Sequence, residues 1–332
     1  MPIPTIDLSV VTGLDERDLV QKVKAACRSY GFFQLVGHGV PEPLLDNVLE
    51  QCQNFFSLPL DVKEKYDKNM DGFNRGYERL RAQNFEKRTA GDLKEGYYFG
   101  VDLPEDHPKV MARKFGLGPN KYPQEVPDAA NFQQIIDEYH NRMRSLAERM
   151  IRILCRTLEV DDDWVPEFVE TPIAVLRLLH YPPQAPDASE LERGLGAHTD
   201  FGAITILLQD MVGGLQVWDR AESQWIDVQP TKGALIVNLG NLMMRWTNDQ
   251  YISNLHRVIN KSGKQRFSVP FFFSGNSDFL VDCFSNCHEG EPKYEPITVG
   301  EWISGRYADT YGTSEEKAVG ELSTAEATAA ST

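Results

Sequence analysis

Two histidines and one aspartate carry the first chemical signal: His198 and Asp200, separated by Thr199, and His256 further along. Two imidazoles and a carboxylate are the ligand set of a non-haem Fe(II) centre, which leaves metal positions open for water, O₂ or an organic acid. Ten residues after His256 stands Arg266, followed by Phe267 and Ser268. A guanidinium presents a planar fork that fits a carboxylate through two parallel hydrogen bonds. The Ser268 hydroxyl can add a donor to the same group, and Tyr181 can add another. The chemistry then requires an acid beside the metal. Full reduction of O₂ takes four electrons, and a substrate that gives two needs a co-substrate for the rest. A 2-oxo acid fills that role: it chelates iron through its keto oxygen and carboxylate and gives up electrons as it loses CO₂. Its far carboxylate needs a fixed cation, the part Arg266 is suited to play.

These side chains must be brought together by strands, and strand-like segments dominate the second half of the chain. Candidates are 173–181, 203–208, 214–218, 233–238, 255–259 and 266–273, punctuated by Gly, Pro, Asn and Asp. Alternation puts Arg266, Ser268, Pro270 and Phe272 on one strand face, and Arg177, Leu179 and Tyr181 on another. The same parity places His198 and Asp200 on one side of a strand, with His256 opening a strand opposite. The first half reads differently. Strands are expected at 4–8 and 31–36, and amphipathic helices at 15–29 and 43–56. A long helix covers 130–158, and a last one 299–308. The pattern is mainly β with helices (α+β), a jelly-roll core with helices packed outside. Residues 1–130 form an N-terminal helical and strand region of the same fold. Residues 131–312 hold the long helix and the barrel with the site. Residues 313–332, rich in Ala, Ser, Thr and Glu, read as a flexible tail. Residues 67–130 mix charge, Gly, Pro and aromatics and suggest a lid over the site.

Bulk properties narrow the function. The chain has 332 residues and a formal charge of −15 from 34 basic and 49 acidic residues. That balance argues against a nucleic-acid partner. No apolar window of about 18 residues exists, so no membrane span is expected. The N-terminus lacks a basic stretch followed by an apolar run, and the five cysteines are odd in number. A reducing cytoplasmic setting fits both facts. Cys283, Cys287 and His288 lie close in sequence but lack the second ligand pair a structural zinc site wants.

The chain resembles the 2-oxoglutarate- and Fe(II)-dependent dioxygenases of the isopenicillin N synthase-like branch, over roughly residues 3–312. Near the N-terminus the resemblance is carried by the run from Gly31 to Val40 and by Phe55-Phe56-Ser57-Leu58-Pro59. Further on it rests on His198-Thr199-Asp200-Phe201-Gly202, Gly213-Gly214-Leu215-Gln216-Val217, His256-Arg257-Val258 and Arg266-Phe267-Ser268. The run Leu176-Arg177-Leu178-Leu179-His180-Tyr181-Pro182 is most similar to microbial thymine-hydroxylase-like members. The resemblance implies a double-stranded β-helix (cupin-like) core, Fe(II) on His198, Asp200 and His256, O₂ as oxidant, and 2-oxoglutarate on Arg266, Ser268 and Tyr181. Leu179 stands where plant flavonoid-type members often carry Asn, which makes a plant-type substrate set a poor match.

The expected substrate is a small aromatic or heteroaromatic metabolite, used in specialised metabolism. Phe201 and Phe272 would pack against its plane, Arg177 or Asn74 would bond its polar groups, and Asn74 and Tyr77 would reach it from the lid. Hydroxylation is the default outcome, with desaturation, ring expansion and demethylation as related ones. An Fe(II) oxidase of the isopenicillin N synthase kind would use the same triad without 2-oxoglutarate and turn Arg266 onto the substrate. A zinc hydrolase or a non-redox binding protein would share the ligand set but leave the acid anchor unexplained.

Overall fold

A computed structural model describes residues 3–9, 14–84, 91–184 and 193–311. The expected tail at 313–332 lies outside the described residues. In chain order the N-terminal elements are β1 (Thr5–Asp7), α1 (Leu14–Ser29), β2 (Phe32–Val36), α2 (Glu42–Phe56), α3 (Leu60–Glu64), β3 (Gly76–Glu78), β4 (Glu95–Phe99) and α4 (Pro108–Met111). Then come α5 (Ala129–Leu158), α6 (Val165–Phe168), β5 (Pro172–Tyr181), β6 (Leu195–His198), β7 (Ile204–Gln209), β8 (Leu215–Asp219), β9 (Gln224–Asp227) and β10 (Leu235–Leu239). The chain continues through α7 (Asn241–Trp246), β11 (His256–Val258), β12 (Arg266–Asn276) and α8 (Val299–Tyr311).

Eight strands form one sheet in the order β1-β2-β10-β7-β12-β5-β4-β3, and four form a second in the order β6-β11-β8-β9. Strands from both ends of the chain share the larger sheet, and its two faces do different work. Leu176, Leu178, Val269, Phe271 and Ile206 point outward into the main core, where Val48 and Phe55 of α2 and Met143, Ala147 and Met150 of α5 cover them. Leu179, Tyr181 and Ile236 point inward and pack against Leu195, Leu215, Val217 and Val258 of the smaller sheet. Both faces of β5 and β12 are therefore buried, one by helices and one by the opposing sheet. This is the double-stranded β-helix, an α+β fold whose interior lies between two sheets.

The helices carry ordinary start and stop signals. Asp128 caps α5, its side chain accepting the Asn131 backbone N–H at 3.0 Å. At the other end Glu159 turns left-handed with φ 59° and closes the helix. The stretch 67–130 is more regular than its composition suggests. β3 and β4 extend the large sheet beyond β5, with Tyr98 opposite Arg177 and Glu95 opposite His180. All five residues of β4 are buried, so no alternation of polar and apolar residues marks the strand.

Candidate metal and co-substrate site

The three ligand atoms of His198, Asp200 and His256 lie within 4.8 Å of one another, and among the described residues they form the one such cluster. Register accounts for the two imidazoles. His256 opens β11 directly opposite His198, the last residue of β6, and the rings sit 4.1 Å apart between centroids. Asp200 arrives differently. The strand ends at His198, so Asp200 is in the following loop and strand parity does not place it. Backbone bonds do: Asn241 N–H at the start of α7 donates to the Asp200 carbonyl at 2.7 Å, and Leu242 N–H donates to the Gly202 carbonyl at 3.2 Å. Gly240 makes this close approach feasible, because a Cβ there would lie 2.1 Å from the Gly202 carbonyl oxygen.

Each prospective ligand is oriented by a second contact. His198 Nδ1 lies 2.9 Å from the Gly196 carbonyl, and His256 Nδ1 lies 3.3 Å from the Asn254 carbonyl. A carbonyl only accepts, so Nδ1 holds the proton and Nε2 keeps its lone pair for a metal. Both Nε2 atoms face the same Asp200 oxygen, Oδ1, at 3.6 and 3.7 Å. The other oxygen, Oδ2, accepts from Thr205 Oγ1 at 2.6 Å and from Asn238 Nδ2 at 2.7 Å. Burial would raise the Asp200 carboxyl. The nearby His256 and His198, with the Asn238 hydrogen bond, outweigh that and hold it below its ordinary value. Burial, with His198 alongside, pushes His256 down to about 4, which leaves it neutral near pH 7. The donor set fits a divalent metal.

Arg266 is 1% exposed and opens β12 opposite Tyr181 on β5. Its Nη2 donates to Gln209 Oε1 at 3.2 Å, and its guanidinium stands 4.8 Å from the centre of the Tyr181 ring. Nε and Nη1 are buried without a hydrogen-bond partner, as is Gln209 Nε2. Buried donors are almost always satisfied. A buried fork with two nitrogens unmet has the shape and charge to take a carboxylate. Tyr181 is fully buried and hydrogen-bonded to Ser268; burial raises its phenol, so it stays a donor. The residues present therefore fit a bound acid as well as a metal.

Both sets open into one cavity between the sheets. Parity read from the sequence recovers much of its wall: Arg177, Leu179, Tyr181, Arg266, Ser268, Pro270 and Phe272 all line it, and so do Asn74 and Phe201. Arg177 donates from Nη2 to Tyr307 Oη at 2.7 Å and lies between the Tyr98 and Phe272 rings, 4.3 and 4.8 Å from their centres. Phe201 is fixed from behind by the Arg306 guanidinium, 5.3 Å from its ring centre. Tyr77 is a correction. It does not line the cavity; its ring packs in the main core near Phe55, and its hydroxyl donates to Glu95 at 2.6 Å. The three-residue strand β3 carries it away from Asn74, whose left-handed φ of 57° turns the chain.

Sequence reasoning missed Thr205, Asn238, Gln209, Lys94 and Tyr307. Thr205 and Asn238 are directly paired across β7 and β10, and polar residues inside otherwise apolar strands (Ile204–Gln209, Leu235–Leu239) were a usable signal.

The sequence pattern of the 2OG-Fe(II) oxygenase superfamily matches residues 172–275. A pattern described as the N-terminal part of a non-haem dioxygenase in morphine synthesis matches residues 3–125. The chain is 48% identical over 318 residues to the 2-oxoglutarate-Fe(II) type oxidoreductase hxnY of Emericella nidulans, covering 94% of this chain and 91% of that protein. It is 41% identical over 317 residues to the 2-oxoglutarate-dependent dioxygenase citB of Monascus ruber, covering 93% and 95%. Among solved structures, a full-length Neurospora crassa protein in complex with alpha-KG and thymine matches with a TM-score of 0.81 at 27% identity, over 92% of this chain and 96% of that one.

Proposed function

The chain belongs to the 2OG-Fe(II) oxygenase superfamily, and from that premise we propose that it oxidises a small aromatic or heteroaromatic metabolite in specialised metabolism. As a member it is an Fe(II)- and 2-oxoglutarate-dependent dioxygenase. The observation that carries the reading is the convergence, in one cavity, of three oriented metal ligands and a buried guanidinium with unmet donors. His198, Asp200 and His256 would hold the iron. Arg266, Ser268 and Tyr181 would hold the far carboxylate of 2-oxoglutarate. Metal and co-substrate together supply the activation of O₂ and the electrons that the substrate does not give.

This chain's own residues do the rest. Thr205 and Asn238 keep Asp200 turned so that Oδ1 faces both imidazoles. The rings of Phe115, Phe201, Phe272 and Tyr307, with Val175 and Ile173, give the cavity an apolar wall suited to a flat ring. Asn74, Gln83 and Arg177 supply polar groups along it. Hydroxylation is the simplest outcome.

Anaerobic addition of Fe(II) and then 2-oxoglutarate tests the site directly: a visible metal-to-ligand charge-transfer band is expected. A panel of ring metabolites scored by succinate release then finds the substrate. No band, or substrate turnover without succinate, would sink the assignment. The second result would favour an oxidase that draws all four electrons from its substrate.

A further inference from the structure

We propose that the substrate is an anion, a ring compound whose carboxylate is bound by Lys94 with Arg177 beside it. The inference rests on the reading of the cavity as an oxygenase substrate site. Lys94 lines the cavity yet is only 3% exposed. An ammonium has three donors and no acceptor. Among the described residues its one acceptor is Glu78 Oε2, at a long 3.4 Å. That carboxylate is already in demand: Lys68 donates to Oε1 at 2.6 Å, and the Tyr98 hydroxyl donates to Oε2 at 2.7 Å. Arg177 adds a further positive charge to the same group. Asp92 is the other carboxylate within reach of Lys94, and its Oδ1 accepts the Gly196 N–H at 2.8 Å.

Lys94 is thus one of several buried cations drawing on the same carboxylates at the cavity wall. Burying several cations around few carboxylates is costly, so an ammonium that shares Glu78 at a long 3.4 Å, on a residue that lines the cavity, points to a further anion supplied by a ligand. Arg266 does not serve this second acid. Arg177 lies four residues from Tyr181 on the same face of β5, about 13 Å along the strand at about 3.3 Å per residue. The two guanidiniums can therefore hold two different acids within one cavity. The Arg177 guanidinium lies 4.3 Å from the Tyr98 ring centre and 4.8 Å from that of Phe272, so a ring bearing a carboxylate can lie against Phe272 with its acid toward the cations.

Calorimetry on anaerobic protein loaded with Fe(II) and 2-oxoglutarate tests this with matched probes: benzoate against benzamide, and indole-3-carboxylate against its primary amide. Each acid is expected to bind at least about tenfold tighter than its amide. Lys94→Met is expected to erase that preference and Lys94→Arg to keep it, both with wild-type affinity for 2-oxoglutarate. Amides that bind as tightly as acids, no binding of either, or a preference that survives Lys94→Met would each overturn the proposal. The wild-type comparison needs no variant, so a misfolded Lys94→Met still leaves a decisive result. Titration of 2-oxoglutarate precedes the probes. Its failure would bring down the underlying oxygenase reading, and is seen separately.

Discussion

Strand β5 divides two buried polar clusters that look alike in composition and differ in what they lack. On its inner face, Tyr181 stands with Arg266, Ser268 and Gln209, and several donors there have no acceptor. On its outer face, the neighbouring residue His180 stands with Glu95, Lys63 and Tyr77. Both oxygens of Glu95 are taken there, Oε1 by His180 Nδ1 at 2.8 Å and Oε2 by Lys63 at 2.8 Å and Tyr77 at 2.6 Å. Burial and charge are common to both. The charged groups distinguish them. In the outer cluster Lys63 and Glu95 satisfy each other at 2.8 Å and only His180 Nε2 is left unmet, whereas in the inner cluster the guanidinium itself keeps Nε and Nη1 unmet. That marks the inner cluster as a place for a ligand and the outer one as part of the scaffold.

The largest effects should come from removing the charge at the centre of each cluster, with opposite consequences. Glu95→Ala leaves Lys63 buried beside Phe56 and Tyr77 without its carboxylate. Removing one partner of a buried pair costs about 3–5 kcal/mol of stability, to be read from urea unfolding, while 2-oxoglutarate affinity in the folded fraction stays put. The pH response shares that cause. Burial tends to raise the Glu95 carboxyl, but the bonds from His180, Lys63 and Tyr77 prevail and hold it below its ordinary 4.5. A depressed folded value contributes stability above about pH 4.5 that is lost as pH falls through the folded value. Wild-type stability should therefore drop more steeply below about pH 4.5 than that of Glu95→Ala; equal slopes would count against the cluster as a structural device.

Arg266→Met should do the reverse. Binding of 2-oxoglutarate weakens by about 2–5 kcal/mol, the cost of truncating a buried charge partner, measured by calorimetry. The melting temperature of the ligand-free protein should hold or rise, because an incompletely paired buried cation has been replaced by an apolar side chain. A clear fall in melting temperature would mean that Arg266 is a structural cation like Lys63. A smaller effect is expected one contact further from the chemistry. Asn238→Leu removes a bond to Asp200 Oδ2 and leaves Thr205 in place. Loss of such a support lowers metal affinity by about 10–100-fold, visible in Fe(II) titration.

The inner cluster was largely legible in the sequence because strand alternation is a strict rule. Arg266, Ser268, Pro270 and Phe272 follow period two, and so do Arg177, Leu179 and Tyr181; all seven reach the cavity. The rule ran out where the chain leaves a strand or where both faces are buried. Asp200 is held by α7 rather than by parity. The strand Leu195–His198 carries Gly and Ala, poor strand formers, so it gave no signal of its own. Lys94 is the most instructive omission. It shares a face with Tyr98, as its spacing requires, but the strand between helps little because every residue of β4 is buried. The fold class followed from the helical first half and the strand-rich second half. That β3 and β4 join the larger sheet did not, since pairing across a long sequence gap leaves no local mark.

Tyr77 gives the finest test of the comparison, because sequence reasoning and structure assign it to different clusters. Three residues along from Asn74, which lines the cavity, it sits in the same irregular segment, and a substrate role for both is the natural reading. The structure sends the Tyr77 hydroxyl to Glu95 instead, and its ring into the core. Tyr77→Phe keeps the ring and deletes one hydrogen bond to a carboxylate. Such a bond contributes about 1.5 kcal/mol, so the urea midpoint should fall modestly with no change in slope. Substrate kcat/KM should remain at the wild-type value, since no atom lost in the variant touches the cavity. The expected split reverses if Tyr77 meets the substrate: kcat/KM would drop and the midpoint would hold. Asn74→Gly is the matched control, with its effect expected in KM and little in stability, because glycine tolerates the left-handed φ of 57° and Asn74 lines the cavity rather than the Glu95 cluster.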